Sequence, residues 1–151
     1  MPGTRGGVLD DPPTLNSNEK QFLVHPIGEL DDDPQEIVTF LGINAIPAKK
    51  TGPRRRRGDV TIAFFELDDR EELRRERAEL IDSLGHHLEV IHDPDATEQR
   101  KTRAKTTVER MLHPRARHSS CVKSMGELYM ADVNQAEILI DAARVFLDSL
   151  P

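Results

Sequence analysis

Aromatic side chains are scarce in this sequence: no tryptophan, one tyrosine and five phenylalanines among 151 residues. With 36% apolar against 32% charged residues, that scarcity implies a thin core under a heavily solvated surface, in proportions that favour helices. Cysteine is nearly absent as well. Cys121 stands alone, which excludes an internal disulfide and makes a reducing, cytoplasmic setting the expectation. No run approaches the roughly 20 consecutive apolar residues that cross a bilayer, so no membrane partner is expected. The opening Met1-Pro2-Gly3-Thr4-Arg5 lacks the apolar stretch of a secretory leader. Phosphate-cradling glycine loops, the G-x-S-x-G elbow and the H-E-x-x-H metal pattern are all missing.

What is present centres on residues 58–91. Val60-Thr61-Ile62-Ala63-Phe64-Phe65 is a β-branched and aromatic run that reads as a strand. Asp68 is spaced to cap a following helix, with Glu71 as its capping-box partner. Leu73, Leu80, Leu84, Leu88 and Ile91 then share one helical face, interrupted only by Arg77. Residues 1–20 are rich in Gly, Pro, Asp and Asn without periodicity, and are expected to be disordered. Residues 22–24 and 37–41 are strand candidates, and residues 45–47 complete a hairpin in which Pro47 confines its strand to an edge.

Beyond the break at Asp93-Pro94, a second helix is expected from Asp95, with Glu98 in box position, to Leu112. Its only apolar stripe is Ala104, Val108, Met111 and Leu112, the pattern of a helix lying in solvent or against another chain. A third helix follows Ser119, with Val122, Met125, Leu128 and Tyr129 on one face. A fourth begins near Asn134, with Glu137 in box position, and is expected to bury Ile138, Ala142, Val145, Phe146 and Ser149 or Leu150. The fold class is therefore α+β, mainly α. After the disordered segment 1–20, a single domain over residues 21–151 comprises a small β-hairpin region (21–66) and three or four helices (67–151).

The net charge of −6 argues against a protein that coats nucleic acid non-specifically, but charge is unevenly spread. Lys49, Lys50, Arg54, Arg55, Arg56 and Arg57 cluster in residues 48–58, read as a polar loop. That loop is either a solubilising connection or a contact for phosphate, because guanidinium groups suit bidentate phosphate binding. Without interleaved aromatics, nothing there predicts base stacking. His86, His87 and His92, and the spaced His113, His118 and Cys121, invite a metal reading. A zinc site needs four ligands in tight pairs, and one cysteine with scattered histidines falls short, so no metal ligand or cofactor is assigned. Cys121 reads as a small buried residue at a helix start. Glu71, Glu72, Arg74, Arg75, Glu76 and Arg77 read as an ion-paired helix face.

Several short motifs, taken in order, resemble the portion that follows the nuclease motif in an HNH endonuclease subfamily. That subfamily pairs with ATPases in retron and Septu-type antiphage systems. The matching residues are Asn18, Lys20 and Phe22; Pro26, then Asp32-Asp33-Pro34 and residues 37–40; Gly58, Thr61-Ile62 and Leu67-Asp68; Leu73 and Arg77; and His118-Ser119-Ser120-Cys121-Val122. They span residues 16–130. Asp68 stands where the family favours an asparagine cap, and His118 where it favours an aromatic. An HNH site needs a general-base histidine, an asparagine and metal ligands on a ββα unit. Here no histidine precedes His25 and the family's two Cys pairs are lacking, so no catalytic residue carries over. The resemblance implies a non-catalytic interaction subunit that docks on a partner ATPase or nuclease near DNA. Two further readings are a stand-alone nucleic-acid-binding module led by Arg54, Arg55, Arg56 and Arg57, and a metal-dependent nuclease with an unrecognised site.

Overall fold

The computed structural model describes residues 33–151, so the strand candidate at 22–24 and the motif residues before Asp33 lie outside the described residues. The elements are α1 (Pro34–Ile37), β1 (Val38–Leu41), β2 (Asn44–Pro47), α2 (Gly52–Phe64), α3 (Glu71–His92), α4 (Glu98–Met111), α5 (Ser119–Ala131) and α6 (Val133–Ser149). The fold is α+β and mainly α, with one two-stranded antiparallel hairpin. The described residues divide into two compact units, one of residues 33–39 and 46–66, the other of residues 40–45 and 67–151.

In the first unit, Asp33 caps α1 by accepting from Gln35 N at 2.9 Å. The β-type run at 60–65 is not a strand. Pro53 occupies the first turn, where its missing N–H costs nothing, and four arginines of good helix propensity extend α2 through Val60 and Ile62 to Phe64. β propensity is a weak preference that this packing overrides. A Cβ at Gly58 would lie 2.8 Å from the Ile37 carbonyl and 2.9 Å from Pro47 Cβ, so the helix comes down on the hairpin's outer end where only glycine fits. Thr61 is buried on the same side, whereas Phe64 and Phe65 stay exposed and meet edge-to-face at 5.1 Å.

The second unit is built on α3, which packs on α4, α5 and α6, with α5 also packed on α6. Ile43 from the hairpin turn joins Ala78, Ile81, Leu84, Val122, Met125, Ala136 and Ile140 in one core. Gly42, at φ +61°, turns the chain there, and its carbonyl accepts from Cys121 Sγ at 3.4 Å.

Several helix starts differ from the sequence reading. Asp68 does not cap α3, which opens at Arg70 without a side-chain cap. Its carboxylate instead accepts from Ala45 N at 2.8 Å and from Arg77 at 3.3 Å. Thr97, not Asp95, caps α4, accepting from Arg100 N. Asp132 caps α6 through Gln135 N, ahead of the expected Asn134 start. Arg77 is not on a solvated face: it is the largest fully buried side chain, donating to Leu67 O and Asp68 and lying 5.3 Å from the Phe40 ring centroid. Burial pulls its pKa down and Asp68 opposes that shift.

Of the face expected to be buried on α6, Phe146 packs on the core but most of the rest does not. Ile138, Ala142 and Val145 point outward, and the buried side is Ala136, Ile140 and Ala143 with Leu139, Phe146 and Leu147. Both stripes have helical spacing, so periodicity alone could not choose between them. The choice is made where α3 and α6 cross. Gly85 leaves room for Ile140, and Arg144 reaches Asp82 at 2.7 Å and Glu89 at 3.0 Å.

Candidate docking groove and basic surfaces

Small and missing side chains leave a gap along α3, α4 and α5. Leu84 and Leu88 of α3, Val108 of α4 with Leu112 just after it, and Tyr129 and Met130 of α5 enclose an open groove of about 460 Å³. Gly126 lies in its wall, and a Cβ there would meet nothing within 4 Å. Lys123 and Glu127, paired at 3.9 Å, form the polar rim. Leu112 and Met130 are 38% and 84% exposed, so the groove opens to solvent through carbon rather than through polar groups. Burial pushes the Tyr129 phenol above its ordinary pKa, with Glu137 and Glu89 adding to the shift, while its ring stacks on His92 at 5.6 Å. The arrangement can bury apolar side chains of an incoming segment.

Cys121 is fully buried at the start of α5, and burial pushes its thiol up to about 12, so it stays protonated at neutral pH. Among the described residues no three His, Cys, Asp or Glu side chains group as a metal site. His118 holds a left-handed conformation (φ 53°) before α5, and its Nε2 lies 2.8 Å from Glu76 Oε2, with Arg117 2.7 Å from Oε1 of the same carboxylate.

No family model, curated protein or solved structure matches this chain.

Of the predicted nucleic-acid residues, Lys49 and Lys50 lie on a loop, but the four arginines do not. Lys49 and Lys50 precede α2, and Arg54, Arg55, Arg56 and Arg57 occupy its first half. Arg54 pairs with Glu36 at 3.6 Å, and Arg55 pairs with Asp59 at 3.6 Å and donates to the Lys50 carbonyl at 2.8 Å. Helical spacing spreads these cations around the helix instead of aligning them.

Sequence reading found Leu84, Leu88, Val108 and Tyr129 as core stripes but missed Gly126 and Met130. An interior glycine in a helix with no turn to make was the available signal for a gap.

Glu76 carries a pH prediction. The hydrogen bond from His118, with the charge of Arg117, holds its carboxyl below the ordinary range. A depressed carboxyl contributes stability above its unfolded value of 4.5 and loses it as pH falls through the lower folded value. Thermal midpoints of the wild type are therefore expected to fall on acidification below 4.5 more steeply than those of Glu76→Gln. Parallel acid limbs for the two proteins would refute this.

Proposed function

We propose that this chain is a non-catalytic interaction subunit whose groove between α3, α4 and α5 receives an apolar segment of a partner protein. The single observation behind this reading is the groove itself, a carbon-lined opening of about 460 Å³ with Met130 at its mouth. Exposed apolar concavities of this kind typically serve recognition, and an amphipathic helix laying its apolar face into such a groove is a recurring mode. The resemblance to the post-nuclease portion of antiphage HNH proteins makes an ATPase or nuclease the partner class to test first, in the cytoplasm and near DNA.

The test uses Leu112→Glu and Met130→Glu together, both exposed positions. Wild-type protein is expected to retain one stoichiometric ATPase or nuclease partner through a high-salt wash, since apolar burial is not screened. The double variant is expected to lose it at an unchanged melting temperature. Equal retention by both proteins would exclude the groove.

The alternative, a nucleic-acid module led by Arg54, Arg55, Arg56 and Arg57, rests on charge in a helix that already neutralises part of it internally, and is the weaker reading.

A further inference from the structure

Residues 98–117 carry seven Lys or Arg against two Glu in a protein of net charge −6, a concentration of positive charge separate from Lys49, Lys50 and Arg54 to Arg57. The arginines elsewhere in this unit are mostly engaged: Arg77 with Asp68, Arg117 with Glu76, and Arg144 with Asp82 and Glu89. Arg100 and Arg103 differ. Neither side chain has a carboxylate within ion-pair distance among the described residues, and they stand one helical turn apart on α4, spaced to converge on one anion. They line a cleft of about 230 Å³ between α3 and α4, floored by Ala104 and Val90. His87 of α3 lines the opposite wall, half-buried and with no hydrogen-bond partner among the described residues. Arg110 continues the row two turns beyond Arg103, while Glu109, about two and a half turns from Arg100, falls on the opposite side of α4.

We infer that this cleft binds the phosphodiester backbone of nucleic acid, with Arg100 and Arg103 clamping one phosphate, His87 donating to it, and Arg110 meeting a later one. Two observations favour an extended polyanion over an isolated phosphate: the cleft is open, and the cations run on along the helix. These contacts go to phosphate, which carries no base information, so binding is sequence-independent; no Phe, Tyr or Trp lines the cleft to stack on bases. The cleft is separate from the groove, which opens on the other side of α4 through Val108 and Leu112.

The test is fluorescence anisotropy of a short mixed-sequence DNA duplex across a salt series, using the full chain. Arg100→Gln/Arg103→Gln, which frees the one phosphate they share, is expected to weaken binding about tenfold and to reduce the slope of log affinity against log salt by about one. Arg100→Lys/Arg103→Lys, which keeps the charge, is expected to restore the slope. Arg55→Gln/Arg56→Gln, on the separate basic helix, is expected to leave it unchanged. The inference is overturned if wild-type protein fails to bind the duplex at low salt, or if the α4 double variant binds as wild type. It is also overturned if an acidic polyglutamate peptide competes as well as DNA does, which would make the cleft a site for acidic protein.

Discussion

Arg77→Ala is expected to destabilise the helical unit by about 3–5 kcal/mol, a large loss for the truncation of one side chain. Two costs add. Removing a fully buried stem leaves a void among side chains that cannot fully collapse into it, and removing the guanidinium leaves the Leu67 carbonyl without its donor and the Asp68 carboxylate half-satisfied. Asp68 also holds Ala45 N, so the loss reaches the hairpin turn and the carbonyl of Gly42 that Cys121 approaches. Arg77→Met keeps most of the apolar volume and is expected to cost about half as much. Chemical denaturation of the three proteins gives the comparison directly. A value for Arg77→Ala within about 1 kcal/mol of wild type would mean the buried pair is incidental to the fold.

Gly85 of α3 and Gly126 of α5 give the second large effect, with opposite signs. Alanine is favoured over glycine in a helix by about 1 kcal/mol, and at Gly126, where an added Cβ meets open space, that gain should appear nearly whole. At Gly85 the added Cβ would lie 2.7 Å from Ile140 Cγ2, a branched atom held at the α3–α6 crossing, and 3.3 Å from an Arg144 nitrogen. Overpacking of about 1–3 kcal/mol there outweighs the propensity gain, and it disturbs the links from Arg144 to Asp82 and Glu89. Gly85→Ala is thus expected to melt below wild type and Gly126→Ala above it. The same sign for both would show that backbone propensity, rather than packing at these sites, sets the outcome.

The sequence made the fold class legible because its strongest signals are long-range periodicities. The Leu84 and Leu88 stripe of α3, the Asp93-Pro94 break and the Val122 and Met125 face all reappear in the structure. The failures share a cause, which is that tertiary partners decided between locally equivalent options. Residues 60–64 look like a strand by composition but continue a helix already started at Gly52. α6 carries two apolar stripes, and its tertiary partners, among them the gap at Gly85 and the carboxylates facing Arg144, determine which turns inward. Asp68 has the spacing of a cap but is worth more as the partner of a buried guanidinium. The groove was half legible, because a stripe of leucines reads equally as core or as an unfilled face until the neighbouring helices are placed.

Gly126→Phe tests the interaction account most directly, because it fills the groove from inside without altering any charge or any buried residue. The measurement is the affinity of the co-purified partner for wild type and for this variant at matched melting temperature. The account predicts at least about a hundredfold loss, or roughly 2.7 kcal/mol, as expected when the central pocket of an interface is occupied. A variant that folds as wild type and binds its partner with unchanged affinity would contradict it.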